Sequence, residues 1–222
     1  MARPIVIFGT GELAQLACTY FTHDSDRSVA AFTVDREYIA TGQCMSLPVV
    51  PFDEVVKRFP PAEYDMFVAI GYSKLNAARA EKCRQAKNLG YQLASFISSR
   101  SSVWPDLKVG ENCLVMEGNL LQPFVTLGNN IIVWCGSLIS HHVEIGDDCF
   151  IAAHVVISGQ VKIGRNCFIG VNATVRDKIT IADRTIIGAG ALILANTVEN
   201  GSYLNEASPK SNIPSHRLSA LL

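Results

Sequence analysis

Charge is scarce in this chain of 222 residues: Asp, Glu, Lys and Arg make up 18% of it, where about 25% is usual in soluble proteins. Nineteen Lys and Arg stand against twenty Asp and Glu, a net charge of -1. A nucleic-acid binder draws its affinity from neutralised phosphates, and this balance argues against a basic one. Hydrophobic residues reach 49%, which excludes disorder. No run of about 18 apolar residues occurs, so no membrane-spanning helix is expected. The seven cysteines contain no CxxC pair, so a zinc-thiolate site is not expected. Seven is odd, and they cannot all pair within one chain. Met1-Ala2-Arg3-Pro4 leads into Ile5-Val6-Ile7-Phe8, a buried strand and not the core of a signal peptide. A reducing, cytoplasmic setting is expected.

What the chain has instead is a repeat. From Ile97 onward it divides into hexads without an insertion, and each opens on an aliphatic residue. These are Ile97, Val103, Val109, Val115, Leu121, Leu127, Val133, Ile139, Ile145, Ile151, Ile157, Ile163, Ile169, Val175, Ile181, Ile187 and Ile193. At average composition such a run arises by chance about once in 10^10 trials. Gly110, Gly128, Gly146 and Gly164 add a period of 18 residues, with Ala182 next in line. Eighteen is three hexads, so the pattern predicts a triangular parallel β-helix of five to six coils. The small residue turns each corner without a Cβ clash. The fifth hexad position should also face inward, which puts Cys113, Ile131, Cys149, Cys167 and Thr185 in one buried column.

The first 96 residues differ. Strand Ile5–Phe8 runs into Gly9-Thr10-Gly11-Glu12-Leu13-Ala14, a GxGxxA turn, and a helix follows over 15–21. A second strand, 29–34, ends at Asp35, 24 residues after Gly11. This is the order of a nucleotide-binding βαβ unit: glycine turn, helix start for an anion, then an acid for a ribose or base. A third strand, 65–70, ends at Gly71. Ser73 should cap a helix whose apolar face carries Leu75, Ala78, Ala86 and Leu89, closed by Gly90. Residues 91–96 read as a last strand. Only one βαβ half fits before the hexads begin, so a mononucleotide moiety is expected and not a whole dinucleotide.

Three histidines fall in the coil. His141 and His142 take the third and fourth places of their hexad, and His154 the fourth place of a hexad two faces further round. All should face outward. If coils pack as trimers, His141 of one subunit and His154 of another could share a cleft.

The two-part layout resembles one family. Its motifs here are Ala69-Ile70-Gly71 and Ile139-Ser140-His141-His142 followed by Ile145-Gly146-Asp147-Asp148-Cys149. The chain is similar, over about residues 4–210, to the nucleotide-sugar acyltransferases related to bacillosamine N-acetyltransferase and sialic acid O-acetyltransferase. The resemblance implies an α/β N-terminal half-Rossmann βαβ domain followed by an all-β left-handed parallel β-helix. The division expected is 1–96 for the nucleotide sugar, 97–198 for the coil and 199–222 for a C-terminal tail. It implies an N-acetyltransferase of polysaccharide biosynthesis, with O-acetylation less favoured. Acetyl-CoA is the donor, no metal takes part, and the partners are a nucleotide-linked amino sugar and two further copies in a homotrimer, with no nucleic acid and no membrane. It assigns the nucleotide sugar to Gly9, Thr10, Gly11, Glu12, Asp35 and Gly71, and acetyl-CoA to segments at Gly159, Val171 and Ala189. His141 takes the role of general base, with His142 and His154 beside it in the catalytic set. An unperturbed imidazole suits that role near neutral pH. The oxyanion donor is expected to be a coil backbone N–H near Gly159.

Four positions depart from that pattern. His142 stands where the family has an acid after the catalytic histidine, and Phe150 where it has a second histidine. Trp134 replaces an amide near the sugar, and Ala207-Ser208-Pro209-Lys210 loosens a Gly-x-Pro-Ala tail. Two other readings compete. One is a zinc enzyme similar to the γ-class carbonic anhydrases, using His141, His142 and His154, although no HxxxxH spacing is present. The other is a non-catalytic trimeric sugar-nucleotide binder.

Overall fold

The computed structural model describes residues 2–210 and 212–213; residues 211 and 214–222 of the expected tail lie outside it. The N-terminal strands form where short apolar runs meet turns. They are β1 (Ile5–Phe8), β2 (Val29–Val34), β3 (Gln43–Cys44), β4 (Leu47–Pro51) and β5 (Asp65–Val68). The sheet order is β3-β4-β2-β1-β5, with β4, β2, β1 and β5 mutually parallel and β3 an antiparallel edge. Helix α1 (Glu12–His23) follows β1, a short α2 (Val55–Arg58) precedes β5, and α3 (Ala77–Asn88) follows it. The chain steps outward from β1 to β2 and β4, then returns to the other side of β1 at β5. That reversal opens a crevice at the carboxyl ends of β1 and β5, where open α/β sheets bind ligands.

Two local expectations are corrected. Residues 91–96 form no full strand, because only Leu93 bridges to Met66 before the chain turns into the coil. Ser73 caps nothing: α3 begins after Asn76, whose φ is 66°. Its buried face is Arg79, Lys82, Cys83 and Ala86, while Leu89 is exposed. The physical reason is what α3 packs against, a polar corner of the coil that hydrogen-bonds Arg79 where a Leu could offer nothing.

The coil forms as the hexads predict. Seventeen two-residue strands, β6 (Phe96–Ile97) to β22 (Leu192–Ile193), fall one to a hexad, and each from β6 to β19 pairs in parallel with the strand 18 residues on. They stack into three flat faces. The docking face (β6, β9, β12, β15, β18, β21) lies against the N-terminal sheet. The apolar face holds β7, β10, β13, β16, β19 and β22, and the charged face β8, β11, β14, β17 and β20. A further strand, β23 (Ser202–Tyr203), extends the docking face past the last hexad. First-position residues from Val115 to Ile193 are all buried, and the column Cys113, Ile131, Cys149, Cys167, Thr185 is wholly so. Val103, at the open first coil, is 38% exposed because no earlier coil covers it.

The corners show a rule the repeat did not reveal. The fourth residue of every hexad from Asn112 to Gly190 has a positive φ. Asn, Asp and Gly tolerate this region best, and they fill eight of these positions. His142 (φ 59°) and His154 (φ 57°) take two of the others.

The corner between the charged and docking faces carries Asn112, Asn130, Asp148 and Asn166 at these positions. It binds the two parts of the molecule together. Asn112 accepts from the Val68 N–H at 2.7 Å and donates to the Val68 carbonyl at 3.2 Å, closing the edge of β5. Arg79, 0% exposed, donates to Asn130 Oδ1 (2.8 Å) and to the carbonyls of Asn130 (3.0 Å) and Cys149 (3.2 Å). Asp24 at the end of α1 accepts from Ser98 Oγ (2.6 Å) and from Ser99. Leu114 and Ile132, facing outward from the docking face, are fully buried against the sheet. Each such side chain contributes about 2 kcal/mol.

Candidate functional site

The crevice is built by two glycine loops. Gly9 (φ 118°) ends β1, and a Cβ there would lie 2.9 Å from the Ala69 carbonyl oxygen, so only glycine lets the loops close together. Gly11 begins α1, and its carbonyl accepts from the N–H groups of Ala14 (3.0 Å) and Gln15 (3.1 Å). That leaves the Glu12 and Leu13 N–H groups of the first turn without a helical acceptor, next to Thr10 at the crevice. A cavity of 180 Å³ opens on the flank, lined by Thr10, Tyr38, Ala40, Thr41, Gln43 and Cys44.

The second loop carries Gly71. Arg79 holds it from beneath, donating to the carbonyls of Ile70 (3.2 Å) and Gly71 (2.9 Å). Burial pushes the Arg79 guanidinium down to about 10. Asp35 ends β2, but its carboxylate is not bare: Lys82 reaches both oxygens at 2.7 and 3.0 Å. The same ammonium sits 4.6 Å from the ring centres of Phe8 and Phe52. Asp35 thus stands at the crevice held by a cation the sequence did not single out.

Opposite the Gly71 loop the docking face is aromatic. Tyr72 packs on Phe150 (5.1 Å) and Phe168 (5.0 Å), and Trp134 lies 6.3 Å from Phe150. The Trp134 Nε1–H is buried without a partner among the described residues. Phe150 is itself a buried packing residue and has no proton to give.

The histidines sit on two other corners. His141 and His142 lie between the apolar and charged faces, and His154 lies between the docking and apolar faces. Each packs on a glycine one coil away. A Cβ on Gly159 would lie 2.6 Å from His141 Cε1 and 2.7 Å from Nε2. A Cβ on Gly136 would lie 2.6 Å from His154 Cε1. The 18-residue period, read backward from His154 and forward from His141, marks both glycines, and only Gly159 was singled out in the sequence. Val171 and Ala189 stack on the His154 corner, where the Gly190 N–H donates to the Val171 carbonyl at 2.7 Å. Gly159 is on the His141 corner. One chain therefore brings together His141, His142 and Gly159, and separately His154, Val171 and Ala189. The apolar face lies between the two groups.

Known proteins share both the repeat and the two-part fold. Residues 124–159 and 160–195 match the family described as bacterial transferase hexapeptide (six repeats), so the coil is a left-handed β-helix of that kind. No curated protein sequence matches the chain. The two-part fold recurs among solved structures. PerB from Caulobacter crescentus, crystallised with CoA and GDP-perosamine, is 26% identical, covers 92% of this chain and 95% of its own, and superposes with a TM-score of 0.82. The acetyltransferase domain of PglB from Neisseria gonorrhoeae is 21% identical, covers 92% and 97%, and has a TM-score of 0.81. These matches bear out the resemblance to nucleotide-sugar acyltransferases with a left-handed β-helix.

Proposed function

We propose that this protein transfers the acetyl group of acetyl-CoA to the amino group of a nucleotide-linked sugar. The observation that carries this is the pairing, on one chain, of a glycine-lined mononucleotide crevice with an imidazole seated on a coil glycine. The phosphates sit against the N–H groups of Thr10, Gly11 and Glu12, with Gly9 letting them approach, and the Gly71 loop covers them. The base enters the cavity beside Thr10, and Asp35 faces the nucleoside. With so few charges on the chain, backbone N–H groups supply most of the phosphate contacts. The likeness to PerB, with its bound CoA and GDP-perosamine, supports both ligand classes.

In the reaction the sugar amine attacks the thioester carbonyl carbon. The new C–N bond forms as His141 Nε2 takes the amine proton. The tetrahedral oxyanion is met by a coil N–H near Gly159, and collapse breaks the C–S bond and releases CoA as the thiolate, which takes up a proton. A positioned base of this kind contributes about 10²–10⁴-fold. Hydroxyl acylation would use the same groups on a less nucleophilic atom, so amines are the preferred acceptors.

The apolar face supports a homotrimer. Its outward residues include Leu120, Leu138, Val156 and Leu192, with Leu192 62% exposed. The charged face carries Lys108, Glu144 and Lys162 at the same register. Covering the apolar face with a second copy brings one subunit's His141 corner toward another's His154 corner, and the acyl donor lies between them along Gly159, Val171 and Ala189. The cytoplasm, where seven free cysteines stay reduced, is the setting of this reading.

The test is CoA release measured across GDP-, dTDP- and UDP-linked sugars, amino and hydroxyl. Turnover with an amino sugar, cut at least 100-fold in His141→Ala with nucleotide affinity retained, is the expected result. Full activity of His141→Ala overturns the base assignment. Full activity in a stable monomer overturns the shared cleft.

A further inference from the structure

The His141 ring has two supports. Gly159 lies beneath it, and His142 Nδ1 lies 3.1 Å from its own Nδ1. The surrounding backbone is fixed independently of the rings: the His141 N–H donates to Gln122 Oε1 (2.9 Å), the His142 N–H to the Pro123 carbonyl (3.1 Å), and the Gln160 N–H to the His141 carbonyl (2.9 Å). The His142 ring is held in turn by Phe124, 4.5 Å away at the equivalent corner of the preceding coil. The groove of 460 Å³ beside His142 carries three charged groups, Lys108, Glu144 and Lys162. Glu144 is engaged by Lys162 at 3.4 Å, and among the described residues no carboxylate hydrogen-bonds either imidazole.

Two ring nitrogens at 3.1 Å share one proton. Two bare lone pairs repel there, and so do two N–H groups. There are two ways to place that proton. If His142 donates, His141 carries its own proton on Nε2 and has no lone pair for a substrate. If His141 donates from Nδ1, its Nε2 is bare. Resting on the reading of His141 as the base, we propose that His142 is its positioning residue: His142 Nδ1 accepts the His141 Nδ1–H, which fixes the ring over Gly159 and leaves Nε2 as the working lone pair. A neutral imidazole here does what a carboxylate does in other base–orienter pairs.

Three substitutions test this. His142→Phe keeps a ring against Phe124 and removes the acceptor. The backbone accepts it, because Phe124 itself has φ 66° at the same hexad position. His142→Asn restores an acceptor oxygen near the place of Nδ1 and suits a positive φ. Loss of ring orientation costs on the order of 10–100-fold. We expect that loss in kcat for His142→Phe, with KM for both substrates unchanged, and recovery to within about threefold for His142→Asn. Imidazole ¹⁵N shifts should show Nε2 of His141 bare in the wild type and in His142→Asn, and a tautomer mixture in His142→Phe. Full turnover by His142→Phe with an inactive His141→Ala overturns this inference and spares the base. An active His141→Ala overturns the base itself. A proton found on His141 Nε2, or stoichiometric zinc whose removal abolishes activity, also overturns the assignment.

Discussion

Gly159→Ala probes the site with a single methyl group. The residue's φ lies outside the left-handed region, so alanine fits the backbone without strain. The added Cβ would stand 2.6 Å from His141 Cε1 and 2.7 Å from Nε2. Carbon atoms rest at about 3.5–4.0 Å, so the imidazole must retreat by about 1 Å. It can do so cheaply, because it is an exposed side chain and not packed backbone. Stability should therefore change little, within about 1 kcal/mol. Activity should not be spared: a misplacement of about 1 Å costs on the order of 10²-fold. The assay is kcat for CoA release beside the thermal midpoint. Gly146→Ala supplies the contrast, because its Cβ would meet the backbone carbon and oxygen of Gly164 at 3.0 Å. There the coil must part, so the midpoint falls. Gly159→Ala with kcat within threefold of wild type would refute the reasoning, since His141 would then work without its seat.

Other outcomes follow from the same geometry. Asp35→Ala should weaken nucleotide-sugar binding about tenfold and leave CoA affinity unchanged, by calorimetry; it also strands Lys82 on Phe8 and Phe52, so some loss of midpoint is expected. Hydrogen bonds from Ser98 and Ser99 hold the Asp24 carboxyl below its ordinary range. Its contribution is present above about pH 4 and lost as pH falls below that. The midpoint gap between wild type and Asp24→Asn should thus close on acidification, and a gap constant with pH would count against the clasp. Burial pushes the Cys83 thiol up to about 12 and Cys113 up to about 11. Iodoacetamide should label native protein at the half-buried Cys44 and Cys135 and reach the five buried thiols only on unfolding, read by mass spectrometry.

Much of the coil was legible because its information is local and repeated. Each hexad carries its own inward residues, and seventeen copies leave one register in which all are buried. The crevice was legible in part: Gly9, Gly11, Asp35 and Gly71 are placed by strand ends, which short apolar runs reveal. The αL rule at the fourth hexad position could have been read from its Asn, Asp and Gly, and the seats at Gly136 and Gly159 from the period of 18.

The rest depended on contacts between distant segments. Helix α3 reads locally as an apolar face, yet it buries Arg79 and Lys82, because partners 51 and 47 residues away, Asn130 and Asp35, satisfy them. Nothing near Arg79 in the chain announces those partners. His142 is the opposite case: its partner is its neighbour in sequence, and the left-handed backbone of the corner turns the two rings together. By itself the sequence determined the triangular coil, its core and the glycine loops, since burial of a periodic pattern has one solution. Only the tertiary structure decided which corner meets the sheet and which groups hold Asp35 and the Gly71 loop. Those depend on hydrogen bonds between segments that no local pattern encodes.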